Sequence, residues 1–159
     1  MNVKILCVGK IKEKFYREAI LEYSKRLSKY CSLNIVEVTD EKTAEDLSDN
    51  EIDLIKNTEG ERILKHISDR DFVIALAILG KQQDSVAFSN YLQDLMVRGQ
   101  SSIVFVIGGS LGLSDSVLSR ANHLLSFSKM TFPHQLMRVV LLEQIYRAMR
   151  IMKNEPYHK

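Results

Sequence analysis

Tryptophan is absent from this chain of 159 residues, and proline (two), cysteine (two) and glycine (seven) are sparse. With no Pro/Gly/Ser-rich stretch, repeat or low-complexity tract to separate units, residues 1–159 are expected to form a single domain around one core. Cys7 and Cys31 fit neither a CxxC nor a Cys/His ligand set. That excludes a disulfide framework and a zinc cluster and leaves two small buried or half-buried thiols. His66 and His123 are isolated and read as surface or capping residues, so no metal is expected. The longest apolar run, Phe72 to Leu79, has eight residues, against the roughly 18 of a spanning helix. Only Ile5 to Val8 precede Gly9, too few for a signal-peptide core. A cytoplasmic protein without a membrane partner is the expectation.

Net charge is also small, +2, but it is unevenly spread. Residues 1–39 carry +4, residues 40–71 carry −6, residues 72–119 carry −1 and residues 120–159 carry +5. Basic ends around an acidic middle suit a partner that presents anionic charge to one face, such as RNA, held by Lys and Arg in a salt-dependent way. The excess is modest beside dedicated basic domains.

What is present is a regular alternation of strand and helix patterns. Val3 to Val8 reads as a buried strand, and Lys10 to Tyr30 as a helix with Tyr16, Ile20, Tyr23, Leu27 and Tyr30 on one face. Leu33, Ile35 and Val38 mark a second strand; Thr43 with Asp46 offers a capping box for a charged helix to about Ile67, interrupted at Gly60. Phe72 to Leu79 is a third strand, followed by a helix capped by Asp84 or Ser85 and ending at Gly99. Ile103 to Ile107 is the fourth strand, Ser114 and Asp115 start a helix, and Leu124 to Phe127 is a short fifth strand. Pro133 then opens a helix from His134 to Met152. Five such alternations predict an α/β fold with a mostly parallel sheet of five to six strands and helices on both faces.

The final helix carries twelve apolar side chains. At 100° per residue they span about 260° of the wheel, where roughly 100° suffices to cover one core. A second copy of the chain is the natural cover, since leaving five or six large side chains wet forgoes roughly 1.5–3 kcal/mol each. Glu143, Arg147 and Arg150 form the polar strip, and Arg138 lies inside the apolar arc. Either its alkyl stem lies on an interface or its head serves the substrate.

Two loops leave strand ends: Gly108-Gly109-Ser110-Leu111-Gly112 and Phe127 to Pro133. The first is neither G-x-G-x-x-G, because Ser110 and Leu113 stand where glycines are required, nor a P-loop, because no Lys-Ser/Thr follows. Pyrophosphate binding is therefore disfavoured. The chain resembles the ribosomal large-subunit pseudouridine methyltransferase family, of the knotted SPOUT class. The likeness rests on Phe105-Val106-Ile107-Gly108-Gly109, Leu111-Gly112-Leu113, Phe132-Pro133-His134, the run from Arg138-Val139-Val140 to Tyr146-Arg147-Ala148, and the ending Pro156-Tyr157-His158. Motif order and length agree along the whole chain.

The resemblance implies a C-terminal trefoil knot, S-adenosyl-L-methionine as methyl donor, and a homodimer that methylates N3 of a pseudouridine, position 1915 of 23S rRNA, in the assembled ribosome. It places the cofactor against Leu76, Gly108 and the loop Phe127, Ser128, Lys129, Met130, Thr131 and Phe132. It assigns catalysis to His158, Tyr157 and Arg138, and substrate contact to His134, Tyr157, His158 and Lys159. In the family the tail of one subunit completes the other's site. Lys159 stands where the family carries arginine, which keeps the charge and loses the planar fork. Chemically, methyl transfer needs a lone pair placed in line behind the methyl carbon, and the N3–H must lose its proton, for which a histidine base or a field favouring the anion would serve. The alternative class is a non-catalytic ribosome-associated RNA-binding factor with the same fold.

Overall fold

The computed structural model describes residues Met1–Lys159. Five parallel strands, β1 (Asn2–Val8), β2 (Ser32–Val38), β3 (Phe72–Gln82), β4 (Ser102–Ile107) and β5 (His123–Ser126), form one sheet in the order β2-β1-β4-β3-β5. The helices are α1 (Lys14–Leu27), α2 (Asp49–Leu64), α3 (Ser85–Val97), α4 (Asp115–Arg120) and α5 (His134–Met152). Alternate strand residues serve opposite faces, as the two-residue period requires. Val3, Ile5, Cys7, Ile103, Phe105 and Ile107 pack with α1, α3 and α5; Leu6, Val8, Val104 and Val106 pack with α2 and α4. Both faces are thus covered, which is why these strands read as continuous apolar runs.

The boundaries differ instructively from the sequence expectations. The charged helix does not start at Thr43 and Asp46. It starts at Ser48, whose hydroxyl accepts from Glu51 N–H while the Glu51 carboxylate accepts from Ser48 N–H. Gly60 does not interrupt it either. It lies buried inside α2 because a Cβ there would stand 2.3 Å from Ser114 Oγ. The first helix begins at Lys14 rather than Lys10, after Gly9 has turned the chain with φ +86°.

The third strand runs past Leu79 to Gln82, and its pairing is unusual. Leu125 of β5 pairs with Leu76 and again with Lys81, with a register break between them. A strand residue has one neighbour per edge, so the two partners flank β5 and residues 77–80 cross it. Gly80 marks the crossing: a Cβ there would sit 2.7 Å from the Leu124 carbonyl carbon and oxygen. The sheet still numbers five strands, the lower end of the sequence expectation.

Helix α5 packs against both α1 and α3 as well as the sheet. That three-sided cover buries Leu141, Leu142, Ile145, Ala148 and Met149 and leaves the remaining apolar residues of α5 half-buried. The wide apolar arc is therefore satisfied largely within one chain, and Ile145, fully buried, belongs to the core and not to an outer face.

Candidate active site

Sheet register brings the expected cofactor residues to one edge. Ala75 pairs with Val106 and Leu76 with Leu125, so Leu76, Gly108 and Phe127 lie within two residues of one level on three adjacent strands. At about 3.3 Å per residue and 4.8 Å between strands, they fall within about 10 Å of one another. Such a C-terminal edge of a parallel sheet is where open α/β folds bind ligands. After β4 the chain makes a tight turn closed by Gly112 N–H donating to Gly109 O at 3.1 Å, with Gly112 at φ +88°. Gly108 has no room for a side chain, since a Cβ would stand 3.0 Å from the Gly112 carbonyl carbon. Below the turn, Glu59 of α2 is buried beside Gly109 and accepts from Glu41 N–H at 3.0 Å. Burial raises its carboxyl pKa above the ordinary value, and Asp40 adds to the rise.

A cleft of about 520 Å³ opens beside β5 and the start of α3, lined by Gln83, Ser85, Phe127, Gln144 and His158 among others. Its size falls within the roughly 300–1,000 Å³ of small-molecule sites. Ser85 Oγ donates to Gln144 Oε1 at 2.8 Å, which fixes one wall. Gln83 Oε1 is buried without a partner. The loop beyond Phe127 is shaped by its own hydroxyls: Ser126 Oγ donates to Ser128 O, and Ser128 Oγ accepts from Met130 N–H, both at 3.0 Å. Lys129, Met130, Thr131 and Phe132 are exposed. A second hollow of about 500 Å³, by Ser24, Ser28 and Cys31, lies at the β2 edge and contains none of the expected residues.

The tail is ordered and folds back onto α5. Tyr157 Oη donates to Glu143 Oε1 at 3.1 Å, its ring meets Tyr146 edge-on at 4.9 Å, and the Arg147 guanidinium stands over it at 4.6 Å. Arg147 also donates to Glu143 Oε1 at 2.6 Å and reaches His158 Nδ1 at 3.3 Å. Burial, then the charge of Glu143, raises the Tyr157 pKa, so the phenol stays protonated. Because a guanidinium can only donate, this contact makes Nδ1 the acceptor and leaves the neutral ring's hydrogen on Nε2.

Arg138 is placed elsewhere. Its head, 2% exposed, pairs with Glu37 Oε2 at 2.6 Å and donates to the carbonyls of Val8 (3.0 Å) and Gly9 (2.7 Å). Nine residues from Arg147, it stands about 13 Å away along the helix axis. Its donors hold α5 to the end of β1, and within one chain it stands apart from Tyr157 and His158. His134 is half-buried at the first turn of α5; burial and then the Arg138 charge lower its pKa. Lys159 is exposed. His123 is not a surface residue: it lies in β5 with its ring 4.7 Å from that of Tyr91 and Nε2 buried without a partner.

A family model described as predicted SPOUT methyltransferase matches residues 1–158. The chain belongs to this SPOUT methyltransferase family. Proteins named Ribosomal RNA large subunit methyltransferase H from Clostridium botulinum (strain Langeland) and Clostridium tetani (strain Massachusetts) are 64% and 61% identical to it. Both matches span 159 residues and 100% of both chains. A crystal structure of a probable methyltransferase from Bordetella pertussis Tohama I superposes with a TM-score of 0.54 over 93% of this chain and 96% of its own, at 10% identity. The last comparison supports the fold alone.

As a SPOUT methyltransferase the chain works with a methyl donor, and the cleft has room for a small molecule. It combines an aromatic wall at Phe127 with an acceptor, Gln83 Oε1, that lacks a donor. No three His, Cys, Asp or Glu side chains converge in a metal-holding arrangement. Gln83, Gln144, Glu143 and Arg147 were not among the expected site residues. The Glu143–Arg147 spacing on the polar strip was the available signal, and only the folded-back tail gives that strip a task.

Proposed function

We propose that this protein is a homodimeric, S-adenosyl-L-methionine-dependent methyltransferase that acts in the cytoplasm. Its acceptor is N3 of pseudouridine 1915 in 23S ribosomal RNA of the assembled ribosome. The observation that carries this reading is the convergence of Leu76, Gly108 and Phe127 on one sheet edge, beside a cleft lined by Phe127 and, within one chain, by His158. The names of relatives identical at 64% over the whole chain support large-subunit ribosomal RNA as the substrate, and the base and atom within it follow the family likeness alone. The trefoil threading implied by the family belongs to the same reading, and the passage of residues 77–80 over β5 is compatible with it.

When bound, S-adenosylmethionine supplies a methyl group on a sulfonium centre. Leu76, Gly108 and the loop Phe127 to Phe132 hold it: backbone groups and Gln83 Oε1 take polar edges, while Phe127 and Phe132 provide apolar walls. Tyr157 stacks on or hydrogen-bonds the acceptor base, and His134 and Lys159 contact the RNA. The N3 proton leaves to water as the pyrimidine becomes anionic. His158, posed by Arg147 with Nε2–H free, donates to an oxygen next to N3, and the Arg147 charge stabilises the same anion. Arg138 contributes by orienting α5. The half-buried Leu136, Val139 and Val140 of α5 form the face that the second copy covers.

The test uses ribosomes from cells lacking the modification and S-adenosylmethionine labelled in its methyl group. Label is expected at N3 of the one pseudouridine, mapped by mass spectrometry of large-subunit RNA. No incorporation overturns the enzymatic reading, and ribosome binding without incorporation establishes the non-catalytic alternative.

A further inference from the structure

The C-terminal segment leaves α5 through a hydrogen-bonded reversal. Asn154 N–H donates to Ile151 O at 3.0 Å and Glu155 N–H donates to Arg150 O at 2.9 Å, with Asn154 at φ 56°. These are the paired bonds and the left-handed residue of a Schellman cap. The reversal sends residues 155–158 back beside α5.

At the reversal, one polar cluster ties three parts of the chain together. Tyr30, in the connection between α1 and β2, donates its hydroxyl hydrogen to the Glu155 carboxylate. The Tyr30 hydroxyl oxygen in turn accepts from Arg150 at 3.1 Å. Arg150 also pairs with Glu155 at 2.7 Å and donates to Pro156 O at 3.0 Å. Tyr30 adds an edge contact to Tyr146 at 6.0 Å, and Tyr146 is the ring against which Tyr157 rests. A lone exposed ion pair would hold a tail weakly. Here a single guanidinium is shared among hydroxyl, carboxylate and main-chain carbonyl, so the three groups constrain one another.

We infer that Tyr30, Arg150 and Glu155 form a latch whose task is to set the orientation of Tyr157 and His158 in the tail. They are positioning residues: none of them lines the cleft, and they act through the tail they hold. The inference rests on the proposed methyltransferase reading for its catalytic consequence, and the geometry of the latch stands apart from it. An unanchored tail of this length samples many conformations, and ordering it in advance removes that cost from the encounter with substrate.

The decisive variant is Tyr30→Phe, which removes both hydroxyl bonds and keeps the ring on Tyr146; Arg150→Lys is the second, since one ammonium cannot span the three acceptors. Each full-length variant is compared with wild type by hydrogen exchange of the peptide covering residues 154–159, by calorimetric affinity for S-adenosylmethionine, and by kcat on unmodified ribosomes. Exchange in the tail should accelerate several-fold, donor affinity should stay within about twofold, and kcat should fall roughly tenfold, as misorientation of reacting groups predicts. Unchanged tail exchange overturns the latch. Accelerated exchange with unchanged kcat overturns its positioning task, as does a parallel loss of donor affinity, which would make the cluster a support of the cleft. If wild-type protein methylates no ribosomal RNA, the functional reading fails by itself, and the exchange arm still decides whether the latch exists.

Discussion

The task proposed for His158 depends on its neighbour. A tail histidine near neutral pH invites a general-base assignment, yet its Nδ1 faces the Arg147 guanidinium at 3.3 Å. Arginine has no lone pair to offer, so the ring is posed as a donor. His158→Gln, which retains an N–H donor, should therefore keep activity within about tenfold, whereas His158→Ala should lose roughly a hundredfold, the scale of removing one donor to a developing anion. Steady-state methylation of ribosomes measures both, and equal losses would restore the base. Two other histidines contribute to the acid response of the fold. His123 and His134 are both lowered in pKa, chiefly by burial. Protonation is harder in the folded chain, so the unfolded chain binds more protons below the ordinary histidine pKa of about 6.5. Stability is complete above that pH and falls as pH drops through it toward the folded values. Tm should decline from pH 7.5 to 5.5, and less steeply in His123→Phe, which keeps a ring against Tyr91.

Glycines at the crossings of elements decide where the chain can pass. Alanine at position 60 would gain up to about 1 kcal/mol of helix propensity. Its Cβ would meet Ser114 Oγ at 2.3 Å, the oxygen that caps α4 by accepting from Val117 N–H. Overpacking of about 1–3 kcal/mol wins over propensity. At Gly80 the obstacle is the backbone of β5, at 2.7 Å, which cannot rotate away. Gly80→Ala should destabilise by about 3 kcal/mol, more than Gly60→Ala, and should loosen the pairing of Lys81 and Gln82 with β5. Denaturant midpoints and exchange of the Leu124–Ser126 amides test the order; equal midpoints would refute the crossing as described. The periodicity of α2 could not reveal its true start, because Thr43/Asp46 and Ser48/Glu51 present the same capping spacing. Only the second pair closes reciprocally in the fold.

Across the whole molecule, α5 is where tertiary packing reassigns the sequence pattern. Its breadth of apolar surface suggested a partner, and α1 and α3 supply much of that cover themselves. Two apolar positions of α5 therefore separate. Ile145→Lys buries a charge in the core and should prevent folding, whereas Val140→Glu alters a half-buried residue and should yield folded monomer. Sedimentation of Val140→Glu across concentration, with its circular dichroism spectrum, checks the proposed dimer. A folded variant that sediments like wild type would remove this face from the interface. Arg138 illustrates the same reassignment: it stands inside an apolar arc in sequence and, in the fold, ties α5 to Val8, Gly9 and Glu37.

The alternation of strands and helices, the two-faced core and the glycine turn after β4 were legible in the residues alone, because side-chain period and backbone permissiveness are local properties. The expected cofactor and tail residues came from family likeness, not from spacing, and Gln83 and Gln144 of the cleft came from neither. Three-dimensional packing alone decided that Leu76, Gly108 and Phe127 share one edge, that residues 77–80 pass over β5, and that the tail lies on Glu143 and Arg147. Each of these joins segments far apart in the chain, and no local pattern records which distant surface will be there to meet them.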